Sequence, residues 1–185
     1  MQELSFSYTI IRSRRKSVSI RINPDGTAEV RCPLIASEKY IREIIYKKAD
    51  WIEKKLLEIK NTPPAIPFTA EELDALIAQA KEALIPLVEY YATQVGVSYH
   101  RITIRHQKSR WGSCSGKGNL SFNCLLMLTP PYVQDYVIVH ELCHLKQMNH
   151  SLRFWAEVEK ILPQYHEAKQ WLKQNGESLI RRLPQ

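Results

Sequence analysis

Val133, Tyr136, Val137, Ile138 and Val139 lead directly into His140-Glu141-Leu142-Cys143-His144. A helix apolar around so much of its circumference must be buried, so the chain has to build its core around this segment. The run follows Thr129-Pro130-Pro131, which reads as a helix start with a threonine cap and proline in the first turn. On that helix, positions i and i+4 share a face. Two imidazoles so placed can bind one metal ion, and Glu141 beside the first can take a proton from water activated by the ion. The plainer alternative is two ordinary histidines on a core helix. Four of the six histidines lie between residues 140 and 166, and that clustering favours the metal site.

A third ligand is needed, and geometry restricts it. On an unbroken helix His150 would sit about 120° away from His144. It reaches the metal only if the helix ends first. Asn149 tolerates the left-handed backbone of helix ends, Met148-Asn149 can then form a sharp turn, and Ser151 can cap the next helix. Gln147 stands where zinc proteases with the same six-residue step carry a glycine. The rival ligands are Glu157 and Glu159 on the following helix. With His150 bound, Glu157 becomes a supporting carboxylate. His100, His106 and His166 are left outside the site. Three protein ligands leave one position open, the arrangement of a catalytic Zn²⁺, one per chain.

Around this centre the order reads as α+β. Residues 4–12 and 17–22 alternate as half-buried strands, Asn23-Pro24-Asp25-Gly26 is a turn, and Thr27–Arg31 completes a β-hairpin or small sheet. Ser37 caps a helix to about Lys60, followed by a stiff linker at Thr62–Pro67. Thr69 and Glu72 form a capping box for a helix that ends at Gly96, with Pro86 expected to kink or split it. Strands follow at 100–106 and Leu120–Cys124, in a short antiparallel sheet. Helices are expected over Ser151–Leu162 and Pro163–Asn175, the latter stopped by Gly176. The expectation is a single domain, residues 1–185, with a β-rich lobe plus helix to 62 and a catalytic core from 68.

With 185 residues, 44% hydrophobic and 24% charged, the chain has globular composition and no apolar stretch long enough to span a bilayer. No secretory leader pattern is present, so the expected compartment is the cytoplasm. Cys32, Cys114, Cys124 and Cys143 form no CxxC pair and read as free, mostly buried thiols. The net charge is +7. Arg12, Arg14, Arg15, Lys16 and Arg21 concentrate it in the first strands, where weak binding of nucleic acid or other anions is expected, or simply a solvated face.

Arg110-Trp111-Gly112-Ser113-Cys114-Ser115 precedes the strand Leu120–Cys124. Arg110, Trp111 and Ser113 are candidate substrate-binding residues, with an edge strand nearby available to pair with an extended substrate. The alternative makes Trp111 a core residue and Arg110 an ion-pair partner.

These segments, with Asn119-Leu120-Ser121-Phe122-Asn123, Pro130-Pro131, the HELCH motif and Asn149-His150-Ser151-Leu152-Arg153-Phe154-Trp155, resemble the YgjP-like metal-dependent hydrolases, related to SprT-like and WLM zinc peptidases. Arg14–Ile20 and Trp51-Ile52 also fit. The resemblance implies a zincin-like fold, zinc at His140, His144 and His150, and a minimal peptidase. Cys143 departs from the family, where small residues are common. The functional expectation is a zinc metallopeptidase with Glu141 as general base. The alternatives are a nucleoside triphosphate pyrophosphohydrolase or phosphohydrolase, which would use the same site, and a DNA-associated SprT-like protease. The first of these lacks any P-loop pattern in its support.

Overall fold

The computed structural model describes residues 4–23, 25–61 and 65–184. The chain divides into two compact units, Met1–Pro64 and Ala65–Gln185. Each has its own apolar core.

The first unit holds strands β1 (Tyr8–Ser13), β2 (Ser19–Ile22) and β3 (Ala28–Pro33), then helices α1 (Glu38–Lys47) and α2 (Ala49–Asn61). β2 and β3 form the expected antiparallel hairpin, closed by Gly26 N–H donating to the Asn23 carbonyl, with Gly26 at φ 79°. Pro24 of that turn lies outside the described residues, as do Thr62, Pro63 and Pro64 of the expected linker. β1 adds to the far side of β3 in parallel, giving the order β1-β3-β2. A plain hairpin is therefore too simple a description. Ala28, Val30 and Cys32 alternate onto the buried face of β3 and meet Ile41, Ile45 and Ile52. Ser37 caps α1 by accepting from Tyr40 N–H. The single helix expected to Lys60 is broken at Lys48 (φ −110°, ψ 6°), whose N–H is shared among the carbonyls of α1's last turn. The break turns Ile52 onto the same core as Ile41 and Ile45.

The second unit begins with α3 (Ala70–Val95), capped by the Thr69–Glu72 box and ended by Gly96 at φ 74°. Leu73, Leu76, Ala80, Leu84, Val88, Ala92 and Val95 recur at helical spacing on its buried face. The helix runs without interruption through Pro86, so no split occurs. β4 (Arg101–Arg105), β5 (Gly112–Cys114) and β6 (Asn119–Asn123) form a sheet of order β4-β6-β5. β6 pairs with β4 in parallel and with β5 antiparallel, so the sheet is mixed where a purely antiparallel one was expected. The strand read as Leu120–Cys124 is central, and β5 is an edge. A 3-10 turn over Cys124–Leu128 precedes α4 (Pro131–Cys143). Thr129 does not cap α4: its hydroxyl donates to the Leu126 carbonyl, and Pro130 holds the N-cap position. α5 (Leu152–Ile161) and α6 (Tyr165–Ile180) complete the unit. The α+β class expected from the element order is observed.

α4 packs against α3, α5, α6 and β5. Its residues Val133, Val137, Ile138, Val139, Leu142 and Cys143 are all buried. Burial of this apolar circumference places the helix in the core, with its first turn at Pro131 and Tyr132 exposed and His140 half-buried near its other end. No helix among the described residues is long and apolar enough to cross a membrane.

Candidate metal centre

α4 ends at Cys143, and His144 takes the C-cap position. The last carbonyls are closed by short-range bonds: Leu145 N–H to Leu142, and Lys146 and Gln147 N–H to Cys143. The chain then reverses through residues 147–151. Among the described residues no non-glycine residue has positive φ, so Asn149 is not left-handed as expected. Its side chain makes the turn instead: Asn149 Oδ1 accepts from Ser151 N–H at 3.3 Å. Ser151 stands at the N-cap of α5 without a side-chain capping bond.

The reversal brings His150 back. Its Nε2 lies 3.0 Å from His140 Nε2, and one nitrogen from each of His140, His144 and His150 falls within a sphere of mutual distances up to 4.8 Å. His144 Nδ1 lies 3.1 Å from the Gln147 carbonyl, which as an acceptor holds the proton on Nδ1 and leaves Nε2 free as a ligand. Fully buried Phe154 stacks on His144 (4.5 Å) and presents its edge to His140 and His150 (4.8 Å each). Burial, with His144, His150 and the Lys169 ammonium nearby, pushes His140 down to about 3. Burial lowers His144 as well. Both are therefore neutral imidazoles, the form that binds metal. Three convergent imidazole nitrogens, two of them on shielded residues and the third on exposed His150, fit a divalent ion.

Glu157 and Glu159 fall outside the cluster. Glu157 pairs with Lys146 at 2.8 Å, a contact that accounts for it without a supporting role at the histidines. His166 packs on Tyr165 at 4.0 Å, and neither it, His100 nor His106 joins the group.

Glu141 is 6% exposed. Burial pushes its carboxyl up to about 7, with the Arg110 guanidinium pulling the other way. It has room because β5 passes it with a glycine. A Cβ added at Gly112 would lie 2.6 Å from Glu141 Cγ and 2.7 Å from Oε1. This requirement is invisible in the sequence, where Gly112 reads only as backbone freedom. Gly112→Ala is expected to displace the carboxylate and lower kcat by roughly 10²-fold, with the metal content unchanged. Metal analysis beside steady-state kinetics checks both.

The three candidate substrate residues separate. Arg110 is exposed and lies close enough to Glu141 to act on its charge. Trp111 is half-buried against the core, and its indole would lie 3.2 Å from a Cβ at Gly176. Gly176 therefore sits inside α6 as the seat of Trp111 and does not stop the helix. Ser113 projects to the opposite face of β5 from Gly112 and Cys114, whose thiol is pushed up to about 11 by burial, with the Glu141 charge adding to it.

Asn123, fully buried, fastens this segment. Its Nδ2 donates to the carbonyls of Gln107 (2.8 Å) and Arg110 (3.0 Å), its backbone N–H to Trp111 O (2.9 Å), and its Oδ1 accepts from Leu125 N–H (3.1 Å). Sequence reasoning did not single it out. Asn123→Asp keeps the shape but sets an acceptor against two carbonyls. It is expected to cost about 2–3 kcal/mol, read from urea unfolding.

Three convergent imidazoles with a buried carboxylate next to the first are the apparatus of a metal-dependent hydrolase. The chain belongs to the YgjP-like family of metallopeptidase domains, whose family model matches residues 16–76 and 68–175. Two solved structures are similar. The metallopeptidase zymogen of Pyrococcus abyssi abylysin is 26% identical, covers 49% of this chain and 93% of its own, and has a TM-score of 0.45. The metallopeptidase zymogen of Methanocaldococcus jannaschii jannalysin is 21% identical, covers 50% and 95%, with a TM-score of 0.45. No curated protein matches the chain.

Proposed function

We propose that the chain is a zinc-dependent peptidase, that the unit Ala65–Gln185 carries the reaction in a zincin-like core, and that Glu141 is its general base. The carrying observation is the convergence of His140, His144 and His150 beside a buried glutamate, in a chain of a metallopeptidase-domain family. Three convergent imidazoles suit zinc. The ion, when bound, supplies Lewis acidity toward water and toward the scissile carbonyl.

The chain's own groups do the rest. Glu141 Oε takes the proton of the attacking water, holds it in a buried pocket, and returns it to the leaving amine nitrogen. Its raised affinity for a proton suits both halves of that transfer near neutral pH. Phe154 closes one side of the cluster to water. β5, an edge strand packed against α4, offers its free side to an extended peptide. Arg110, exposed beside Glu141, can donate to the carbonyl oxygen as it gains charge.

The test is a pool of peptides from a denatured protein extract, incubated with zinc-loaded wild type, with chelated protein, and with zinc-loaded Glu141→Gln. New termini read by mass spectrometry are expected with the first alone. Phosphate or pyrophosphate release from nucleoside triphosphates, without peptide cleavage, would move the site to phosphoanhydride chemistry.

A further inference from the structure

The histidine cluster draws its residues from the unit Ala65–Gln185, and the unit Met1–Pro64 carries 13 Lys and Arg against 8 Asp and Glu. Most of the chain's excess positive charge is therefore here. Arg14, Arg15 and Lys16 stand together between β1 and β2 and line a shallow, open groove of about 690 Å³. Its other wall is built from Leu34 and Ile35, which follow β3, and from Tyr40 of α1. Among the described residues no carboxylate lines it.

The four neighbouring cations are not alike. Arg12 has structural work: its Nη1 donates to the carbonyls of Leu34 (3.3 Å) and Ala36 (2.7 Å) and fastens the far wall to β1. Arg14, Arg15 and Lys16 take part in no ion pair among the described residues. Arg15 Nε is buried with no acceptor among them. Arg14 and Lys16 are exposed and Arg15 is half-buried with its Nε shielded, so an anion arriving from outside meets cations that no carboxylate among the described residues neutralises. The opposite wall is of another kind. Leu34 is 57% exposed, Ile35 96% and Tyr40 52%. Folding leaves these side chains uncovered beside the cations.

We propose that this groove binds a single strand of nucleic acid, with phosphates on Arg14, Arg15 and Lys16 and bases against Tyr40 and the aliphatic wall. The chemistry decides among anions. Closely spaced cations facing an aromatic ring match a ligand that alternates phosphate with flat apolar faces. In a duplex those faces are taken up by stacking, so the unpaired strand fits. A bilayer surface offers phosphates but no flat faces for Tyr40 to stack on. An acidic peptide offers charge but nothing for Tyr40 to stack on. The binding is separate from the peptidase reading and stands or falls without it.

The test is fluorescence anisotropy of a labelled oligothymidylate of about 20 nucleotides with the full chain, from low to physiological salt. Wild type is expected to bind with an affinity that falls with salt, at a log–log slope near −2 for three phosphate contacts. The double variant Arg14→Gln/Lys16→Gln, both residues being exposed, is expected to bind at least ~10-fold more weakly with a slope flatter by about 1.4. Tyr40→Ala is expected to weaken binding ~10-fold at unchanged slope. Lys54→Gln/Lys60→Gln, which removes the same charge from α2 of the same unit, is expected to bind as wild type. The proposal is overturned if wild type does not bind at low salt, or if the Arg14/Lys16 variant matches it. It is also overturned if poly-glutamate or phosphatidylserine vesicles bind through these residues while the oligonucleotide does not.

Discussion

Glu141→Gln is expected to abolish peptide hydrolysis, with a fall in kcat of roughly 10²- to 10⁴-fold, while zinc stoichiometry stays at that of wild type. Glutamine keeps the shape that fits against Gly112 and cannot take a proton, and the three histidine ligands are untouched. The same substitution has a second readout in the metal-free protein. Burial holds the Glu141 carboxyl at about 7, above its ordinary value of 4.5. An acid with a raised folded pKa binds its proton more tightly folded than unfolded. The contribution of Glu141 to stability is therefore full below about 4.5 and is lost as pH climbs through about 7, as the carboxylate is forced to ionise in a buried place. The glutamine variant has no such loss. The stability difference between the two should grow across that window to the order of 3 kcal/mol in favour of glutamine. Urea unfolding at pH 5 and pH 8 with chelator present reads it. A constant difference would mean that Glu141 is not buried as described.

His150→Ala carries the second large effect. His140 and His144 follow from helix geometry alone, whereas His150 is delivered by the reversal at residues 147–151. Removing its ring leaves two imidazoles, and a two-ligand site should lose zinc affinity by at least ~10²-fold, with activity lost at ordinary zinc concentrations. His150 is exposed and sits in a turn, so stability of the chelated protein should change little. Zinc competition against a chromophoric chelator gives the affinity. Glu157→Gln is the matching control: its carboxylate is taken by Lys146 at 2.8 Å, and affinity should hold.

What could be read in advance follows a physical division. Features set by neighbours along the chain were legible. The Thr69–Glu72 box, the Gly96 stop and the turn at Gly26 all need only local chemistry, and all are present. So was the burial of α4, since an apolar circumference admits no other placement. What failed depends on contacts across the fold. Gly176 looks like a helix stop until Trp111 is seen lying against it. The break at Lys48 carries no glycine or proline and serves only to turn Ile52 onto the core of Ile41 and Ile45. β1 pairs with β3 in parallel across an intervening strand, a choice that alternation of residues does not encode. The turn before His150 was expected from a left-handed Asn149. It is made by the Asn149 side chain, the same residue by a different device. The parts that complete the site, Gly112 and Asn123, were missed because their work is to leave space and to hold a loop, and neither leaves a pattern in spacing.

The proposed chemistry needs three histidines to meet at one ion. Crystals of the zinc-loaded protein, with data collected on both sides of the zinc absorption edge, test this directly. The expected result is one anomalous peak within about 2.0–2.1 Å of a nitrogen of each of His140, His144 and His150, with Glu141 beside it and not bound. A peak ligated by Glu157 or Glu159 in place of His150, or no peak at these residues, would contradict it.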